Sequence, residues 1–310
     1  MTHVTSPNGS PPSALSFGCM QFGGNADVDE SKKLYHACRN RGINMFDTAH
    51  VYTDGRSEEI LGQCLGDDRH DLIIATKANF NRGNSPEAIQ ESCDESLSRL
   101  GIDVIDLYYL HSFDPDVPAQ ESFAALAKLK RAGKIRYVGV SNYAAWQVMR
   151  AQPAAEAANA RIDAIQPMLN LVKRQVEVEL LPMARDVGID VYSYSPLGGG
   201  LLTGKYRAGG EGRLKDSDMY SKRYGQEWMH NTAADLATVA NQLRVDPATL
   251  AVAWAMRRPG VTAPIISARS VEQLVPSLEA LTMAYDDDID TRLTALTRTP
   301  PPATDRLEES

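Results

Sequence analysis

Eight short apolar runs, separated by longer segments of helical period, predict an α/β fold: a single (β/α)8 TIM barrel with a long loop after strand 7. Two further observations support it. The 310 residues suit one α/β barrel of roughly 250 residues plus loops. The second, third and fourth runs each end at an ionisable residue, and in a βα barrel that end of a strand faces the site where chemistry is done.

The runs lie near Leu15 to Cys19, Ile43 to Phe46, Leu72 to Thr76, Ile105 to Leu110, Ile135 to Val140, Ala164 to Gln166, Ile189 to Tyr194 and Ala263 to Ser267. Between them stand helices with readable ends. Ser85-Pro86-Glu87 opens one that runs to Leu100, and Gly101 closes it. Asp246-Pro247 opens another that ends near Arg258, and a last helix is expected from Asp287 to Leu296. Eight strands with seven or more helices in one domain select a closed barrel over an open doubly wound sheet. After Tyr194 and Pro196 a glycine-rich, then polar and aromatic stretch runs to His230, and a connection of that length is functional or mobile. Residues 1–12, polar with Pro and Gly, read as a flexible tail, 13–298 as the barrel, and the Pro-rich, acidic 299–310 as a second flexible tail.

Composition narrows the function. Hydrophobic residues at 43% and charged residues at 23% allow a sizeable core. A net charge of -8 argues against nucleic acid, which requires basic surface to displace counterions. Cys19, Cys38, Cys64 and Cys93 show no C-x-x-C spacing, so they read as reduced thiols and no metal is expected. No signal peptide and no run of about 20 apolar residues is visible. A cytoplasmic protein without a membrane partner is expected, with a homo-oligomer left open.

Were the runs neighbouring parallel strands, Asp47, Tyr52, Lys77 and His111 would converge at one end of one sheet. Such a set can donate a proton to a carbonyl oxygen. A phenol with a pKa near ~10 is a poor acid at neutral pH, and a lysine held beside it by an aspartate is expected to lower that value by roughly one to three units. The imidazole would aim the carbonyl. Taken singly, a buried Asp and Lys pair is often structural and a tyrosine after a strand is often packing. The four together favour chemistry. His50, between Asp47 and Tyr52, is either a pocket residue or a bystander.

Asp47-Thr48-Ala49 with Tyr52, Thr76-Lys77 and Leu110-His111 resemble, in order and spacing, the catalytic pattern of the aldo-keto reductases, and the likeness covers nearly all of Leu15 to Leu281. The resemblance implies Tyr52 as general acid with Asp47, Lys77 and His111 as its partners, and a small carbonyl substrate. It also implies a nicotinamide cofactor. Ser141, Asn142 and Gln166 would hold its carboxamide, whose donor and acceptor suit side-chain amides and hydroxyls, and Tyr194 would stack on its ring. Ser195, Pro196, Leu197, Gly199 and Lys205 would approach the pyrophosphate. Ser267, Arg269, Gln273 and Ser277 would hold the adenosine end. A guanidinium at Arg269 suits a 2′-phosphate and favours NADPH over NADH. Gly199 to Lys205 nearly matches a phosphate-binding loop, but Tyr206 replaces the hydroxyl that would hold magnesium, so ATP is disfavoured.

Asp47 to Tyr52 followed by Ser57-Glu58, Ser141 to Trp146, and Gly199 to Tyr206 are similar to the branch with the aflatoxin-aldehyde reductases and the potassium-channel β subunits. By that likeness Arg213 and the Arg223-Tyr224 pair close over cofactor or substrate. Met20, His50, Tyr52, His111 and Arg223 are then the substrate candidates. The first reading is an NADPH-dependent reductase of aldehydes and some ketones. The second is a nucleotide-sensing regulatory subunit with slow reductase chemistry, and a third is a cofactor-free barrel isomerase or hydrolase.

Overall fold

The computed structural model describes residues 3–208, 210, 212–304, 306 and 308, without the side chains of residues 207, 208, 213 and 216. Eight strands form one parallel sheet: β1 (Ser16–Gly18), β2 (Met45–Asp47), β3 (Ile73–Lys77), β4 (Ile105–Leu110), β5 (Ile135–Ser141), β6 (Ala164–Gln166), β7 (Asp190–Val191) and β8 (Ile265–Ile266). Their order is β7-β6-β5-β4-β3-β2-β1-β8. The ends of that row meet. Ala263 and Ile265 donate their N–H groups to Val191 and Ser193 at 3.3 and 2.7 Å, and Tyr194 bridges Ile265 in parallel. The sheet is therefore a closed barrel, and each strand lies within one of the eight expected runs or extends it by one residue.

Alternation along the strands divides the core in two. Met45, Ile73, Ala75, Leu107 and Tyr109 fill the barrel interior, while Phe46, Ile74 and Tyr108 face outward into the layer beneath the helices. Six helices follow the first six strands in turn: α1 (Val28–Asn40), α2 (Arg56–Leu65), α3 (Pro86–Leu100), α4 (Ala119–Arg131), α5 (Ala145–Ala157) and α6 (Leu180–Val187). For α3 the ends fall where the capping residues stand: Ser85 accepts the Ala88 N–H and Gly101 takes φ 63°. Helices α2 and α3 approach so closely that a Cβ at Gly62 would stand 2.4 Å from the Leu100 carbonyl oxygen. Among the described residues, no helix is long and apolar enough to cross a membrane.

Two expectations are corrected here. The stretch from β7 to His230 is largely helical, with α7 (Arg213–Asp216), α8 (Asp218–Tyr224) and the start of α9 (Glu227–Leu243), whereas α10 (Pro247–Met256) opens at Asp246-Pro247 as expected, before β8. His230 lies inside α9, whose buried Met229, Thr232, Ala233 and Leu236 recur at helical spacing. The chain then closes with α11 (Val271–Glu279) and α12 (Asp287–Thr294).

The N-terminal segment is likewise not a free tail. His3 and Val4 donate their backbone N–H groups to Asp190 Oδ2 at 2.9 and 3.0 Å, and Arg136 reaches the Thr5 and Ser6 carbonyls at 2.7 and 3.2 Å. Val4 is fully buried among the interior residues of the barrel. The segment plugs the end opposite the strand C-termini, because its polar backbone finds partners on Asp190 and Arg136 and its one large apolar side chain fills the bottom.

Candidate active site

Pairing sets Asp47 beside Ala75 and Lys77 beside Tyr109, so the two ionisable residues end adjacent strands. Lys77 is fully buried; its Nζ donates to Asp47 Oδ1 at 2.5 Å and to the Thr48 carbonyl at 2.6 Å. Burial alone would lower the Lys77 pKa, but the Asp47 carboxylate and Tyr52 reverse this and leave it raised. The other carboxylate oxygen, Asp47 Oδ2, accepts the Gln166 amide at 2.8 Å, joining β2 to β6 across the barrel mouth.

Tyr52 begins a short 3-10 turn, Tyr52–Gly55, between β2 and α2. Its ring centroid is 5.0 Å from Lys77 Nζ and 5.9 Å from the His111 ring, with the two rings at 78°. Four residues expected to converge do so. The expected acidification of the phenol does not occur: burial raises the Tyr52 pKa above 10, Lys77 only partly offsets it, and the Asp47 charge works against Lys77. The ammonium is already largely compensated by its own carboxylate.

His111 follows β4 and packs edge-on against Phe80, with centroids 5.1 Å apart. Burial, reinforced by the Lys77 charge, depresses its pKa to about 3, so the imidazole is neutral at ordinary pH. Its Nδ1 is buried without a hydrogen-bond partner. An unmet acceptor is cheaper than an unmet donor, so the proton belongs on Nε2, the nitrogen left for a ligand.

His50 is placed differently from the substrate contact named for it. Its Nε2 pairs with Glu95 at 2.5 Å and its Nδ1 with Asn79 at 3.2 Å, so neither ring nitrogen is left for a substrate. Met20 is half-buried two residues past β1.

On the far side of the barrel mouth, Ser141, Asn142, Gln166 and Tyr194 form one linked group. Ser141 Oγ donates to the Gln166 carbonyl at 3.1 Å; Asn142, at φ 60°, donates to Ser141 Oγ and to the His111 carbonyl at 3.1 and 3.0 Å; and the Tyr194 hydroxyl donates to Asn142 Oδ1 at 2.7 Å. Beyond it, Ser195 at φ 60° and buried Pro196 lead through half-buried Leu197 into Gly198, Gly199 and Gly200, whose φ values of 57, 67 and 94° no ordinary side chain adopts readily. This turn is covered. A Cβ at Gly199 would lie 2.7 Å from the Tyr220 ring of α8, and one at Gly200 would lie 3.1 Å from Lys205. Helix α8 thus sits over the barrel mouth: Tyr220 acts electrostatically on Tyr52, and Arg223, 5.5 Å from the Tyr220 ring centroid, acts on Tyr194. The side chain of Arg213 lies outside the described residues.

After β8, Ser267 has a buried Oγ without a partner. Arg269 donates its backbone N–H to Gln273 Oε1 at 3.4 Å, and Ser270 caps α11 at Gln273. Ser277 is buried one turn further on, whereas Gln273 is exposed. Phe80, Phe113 and Trp146 form an aromatic rim beside the site. Phe113 packs on Tyr143 and Trp146 with centroids 5.4 and 5.8 Å apart. Their signal was position: Phe80 and Phe113 stand three and two residues past Lys77 and His111.

A closed barrel with this tetrad at the strand C-termini and an amide and tyrosine group beside it defines a nicotinamide-dependent barrel oxidoreductase. The model of the aldo/keto reductase family matches residues 14–298, and the chain belongs to that family, as an NAD(P)H-dependent oxidoreductase. It is 34% identical over 300 residues to the uncharacterized oxidoreductase YrpG of Bacillus subtilis, covering 89% of this chain and 90% of the relative. It is 34% identical over 295 residues to a probable voltage-gated potassium channel subunit beta of Arabidopsis thaliana, 88% and 89% of the two chains. It is 41% identical over 196 residues to aflatoxin B1 aldehyde reductase member 2 of Rattus norvegicus, 61% of this chain and 53% of the relative. The residues present fit a nicotinamide dinucleotide: the Ser141, Asn142 and Gln166 group has the donors and acceptors a planar amide would need, and the orphaned Ser267 hydroxyl could pair with a sugar or phosphate oxygen.

Proposed function

We propose that the protein reduces aldehydes and some ketones to alcohols with NADPH, Tyr52 acting as the general acid. The observation that carries this reading is the phenol of Tyr52 set between a charged, carboxylate-held Lys77 and a neutral His111. When bound, the reduced nicotinamide supplies the hydride. The raised pKa keeps Tyr52 protonated in the resting site, and as the carbonyl oxygen gains negative charge, Lys77 stabilises the phenolate left by proton transfer. His111 Nε2–H donates to the same oxygen and orients it. Asp47 holds Lys77 in place and keeps it charged.

Ser141, Asn142, Gln166 and Tyr194 would hold the nicotinamide; Ser195 to Leu197, Gly199, Lys205 and Arg213 the pyrophosphate; and Ser267, Gln273 and Ser277 the adenosine end. Arg269 toward a 2′-phosphate supports NADPH over NADH. Met20 and Arg223 flank the substrate. The name of the rat relative supports aldehydes as substrates.

The likeness to the Arabidopsis channel subunit over 88% of this chain favours a second reading, a nucleotide-sensing regulatory subunit with slow chemistry. Turnover of a panel of aldehydes and ketones, measured with NADPH and NADH side by side, separates the two. The first reading requires turnover that Tyr52→Phe abolishes while cofactor binding, followed by fluorescence quenching, is kept. Tight binding with negligible turnover of every carbonyl supports the second.

A further inference from the structure

The three residues after Tyr52 all have left-handed backbone: Thr53 at φ 48°, Asp54 at 56° and Gly55 at 90°. A β-branched threonine in that region is a genuine outlier, and such a backbone persists only where its surroundings overdetermine it. Here the loop after β1 holds one side, the Thr53 hydroxyl donating to the Phe22 carbonyl at 2.8 Å, and the helices outside the barrel hold the other.

Arg99, in the last turn of α3, donates Nη1 to the His50 carbonyl at 3.0 Å and to Glu58 Oε2 at 3.2 Å, and its Nη2 lies 3.6 Å from Glu95 Oε2. The guanidinium is wedged under the turn: a Cβ at Gly55 would stand 2.6 Å from Arg99 Cζ. Glu58, fully buried on α2, also accepts the Thr76 hydroxyl at 2.6 Å, and Thr76 precedes Lys77 on β3. His50 is fixed again through Nε2 to Glu95, itself paired with Arg82. One guanidinium therefore joins the backbone two residues before Tyr52 to the helix that follows it and, through Glu58 and the Thr76 hydroxyl, to the strand that carries Lys77. Among the described residues Arg99 makes no hydrogen bond to Tyr52 or Lys77 themselves.

We infer that Arg99 is a positioning residue that, together with Glu58, holds the Tyr52 turn at its distance from Lys77. This rests on the reading of Tyr52 as proton donor. Misplacement of a reacting group by about 1 Å costs on the order of a hundredfold in rate, so the effect belongs in kcat and not in cofactor affinity.

The test compares the full-length wild type with Arg99→Met, Arg99→Lys, Tyr52→Phe and the double variant Arg99→Met with Glu58→Gln, which leaves no unpaired buried carboxylate. Three quantities are read: reduction of para-nitrobenzaldehyde with NADPH, the NADPH Kd from fluorescence quenching, and hydrogen exchange of the peptide spanning 48–57 in the cofactor-free protein. We expect Arg99→Met to lower kcat by roughly ten- to a hundredfold at an unchanged NADPH Kd. Exchange in 48–57 should accelerate about tenfold, with peptides from β4 to β6 as in the wild type. Arg99→Lys should recover part of both, and the double variant should fold and keep both defects. Wild-type exchange in that peptide, or wild-type kcat, in both the single and the double variant overturns the inference. If the wild type reduces no carbonyl, the reductase reading falls, and exchange alone decides whether Arg99 holds the turn.

Discussion

Lys77 Nζ lies 2.5 Å from Asp47 Oδ1 with the lysine wholly out of contact with solvent. Removing one partner of such a pair leaves an uncompensated buried charge, which costs about 3–5 kcal/mol, whereas replacing both by apolar groups of similar volume is often neutral. Asp47→Asn is therefore expected to destabilise the protein by about 3–5 kcal/mol in urea unfolding. The double variant Asp47→Leu with Lys77→Met should regain most of that stability yet show no turnover. Stability of Asp47→Asn equal to wild type would mean that the ammonium finds another counter-charge.

The raised Tyr52 pKa sets the direction of the pH profile. Reduction needs the phenol and oxidation of an alcohol needs the phenolate. Because burial holds the pKa above 10 in the free protein, kcat/KM for reduction should stay level through neutral pH and fall only in strong alkali, while kcat/KM for the reverse reaction climbs with pH throughout. A break near pH 7 in the wild type that persists in Tyr52→Phe would assign the proton to another group.

His111 makes stability pH-dependent through a pKa depressed from 6.5 to about 3. The unfolded chain binds a proton on this side chain below pH 6.5 and the folded chain does not, so its contribution is complete above that pH and is lost as pH falls toward 3. Between pH 7 and pH 5 this amounts to about 2 kcal/mol. The wild type should lose that much more stability than His111→Gln over the same interval in urea titrations. Equal losses would show that the imidazole is protonated in the folded state.

Val4 closes the bottom of the barrel with no solvent exposure. Val4→Ser removes about 1.5–3 kcal/mol of apolar burial and should lower the urea midpoint accordingly, without altering kcat at the opposite end. An unchanged midpoint would mean that residues 3–6 dock without contributing to stability.

Much of the fold was legible because the signals are local. Strand β4 falls at Ile105–Leu110 as expected, since a buried strand reads as a continuous apolar run, and Ser85, Pro86 and Gly101 mark the ends of α3 by their own backbone preferences. Asp47, Lys77 and His111 stood out because ionisable residues at the ends of apolar runs are costly unless something in the fold uses them. Less was legible where the answer is a contact between distant parts. His50 looked like a pocket residue from its neighbours, yet Glu95 and Asn79 occupy both its nitrogens. The glycines at 198–200 stood out as a turn of open backbone, but that Tyr220 of α8 packs on Gly199 is a contact no local pattern announces.

The pattern of apolar runs and the residues that end them, by themselves, determined a (β/α)8 barrel and which side chains meet at its mouth, because strand period and parallel pairing are dictated by neighbours along the chain. Tertiary structure alone decided the state of those side chains. Whether the Tyr52 phenol is made more or less acidic depends on how deep it lies against how well Asp47 neutralises Lys77, and depth and distance are properties of the packed molecule.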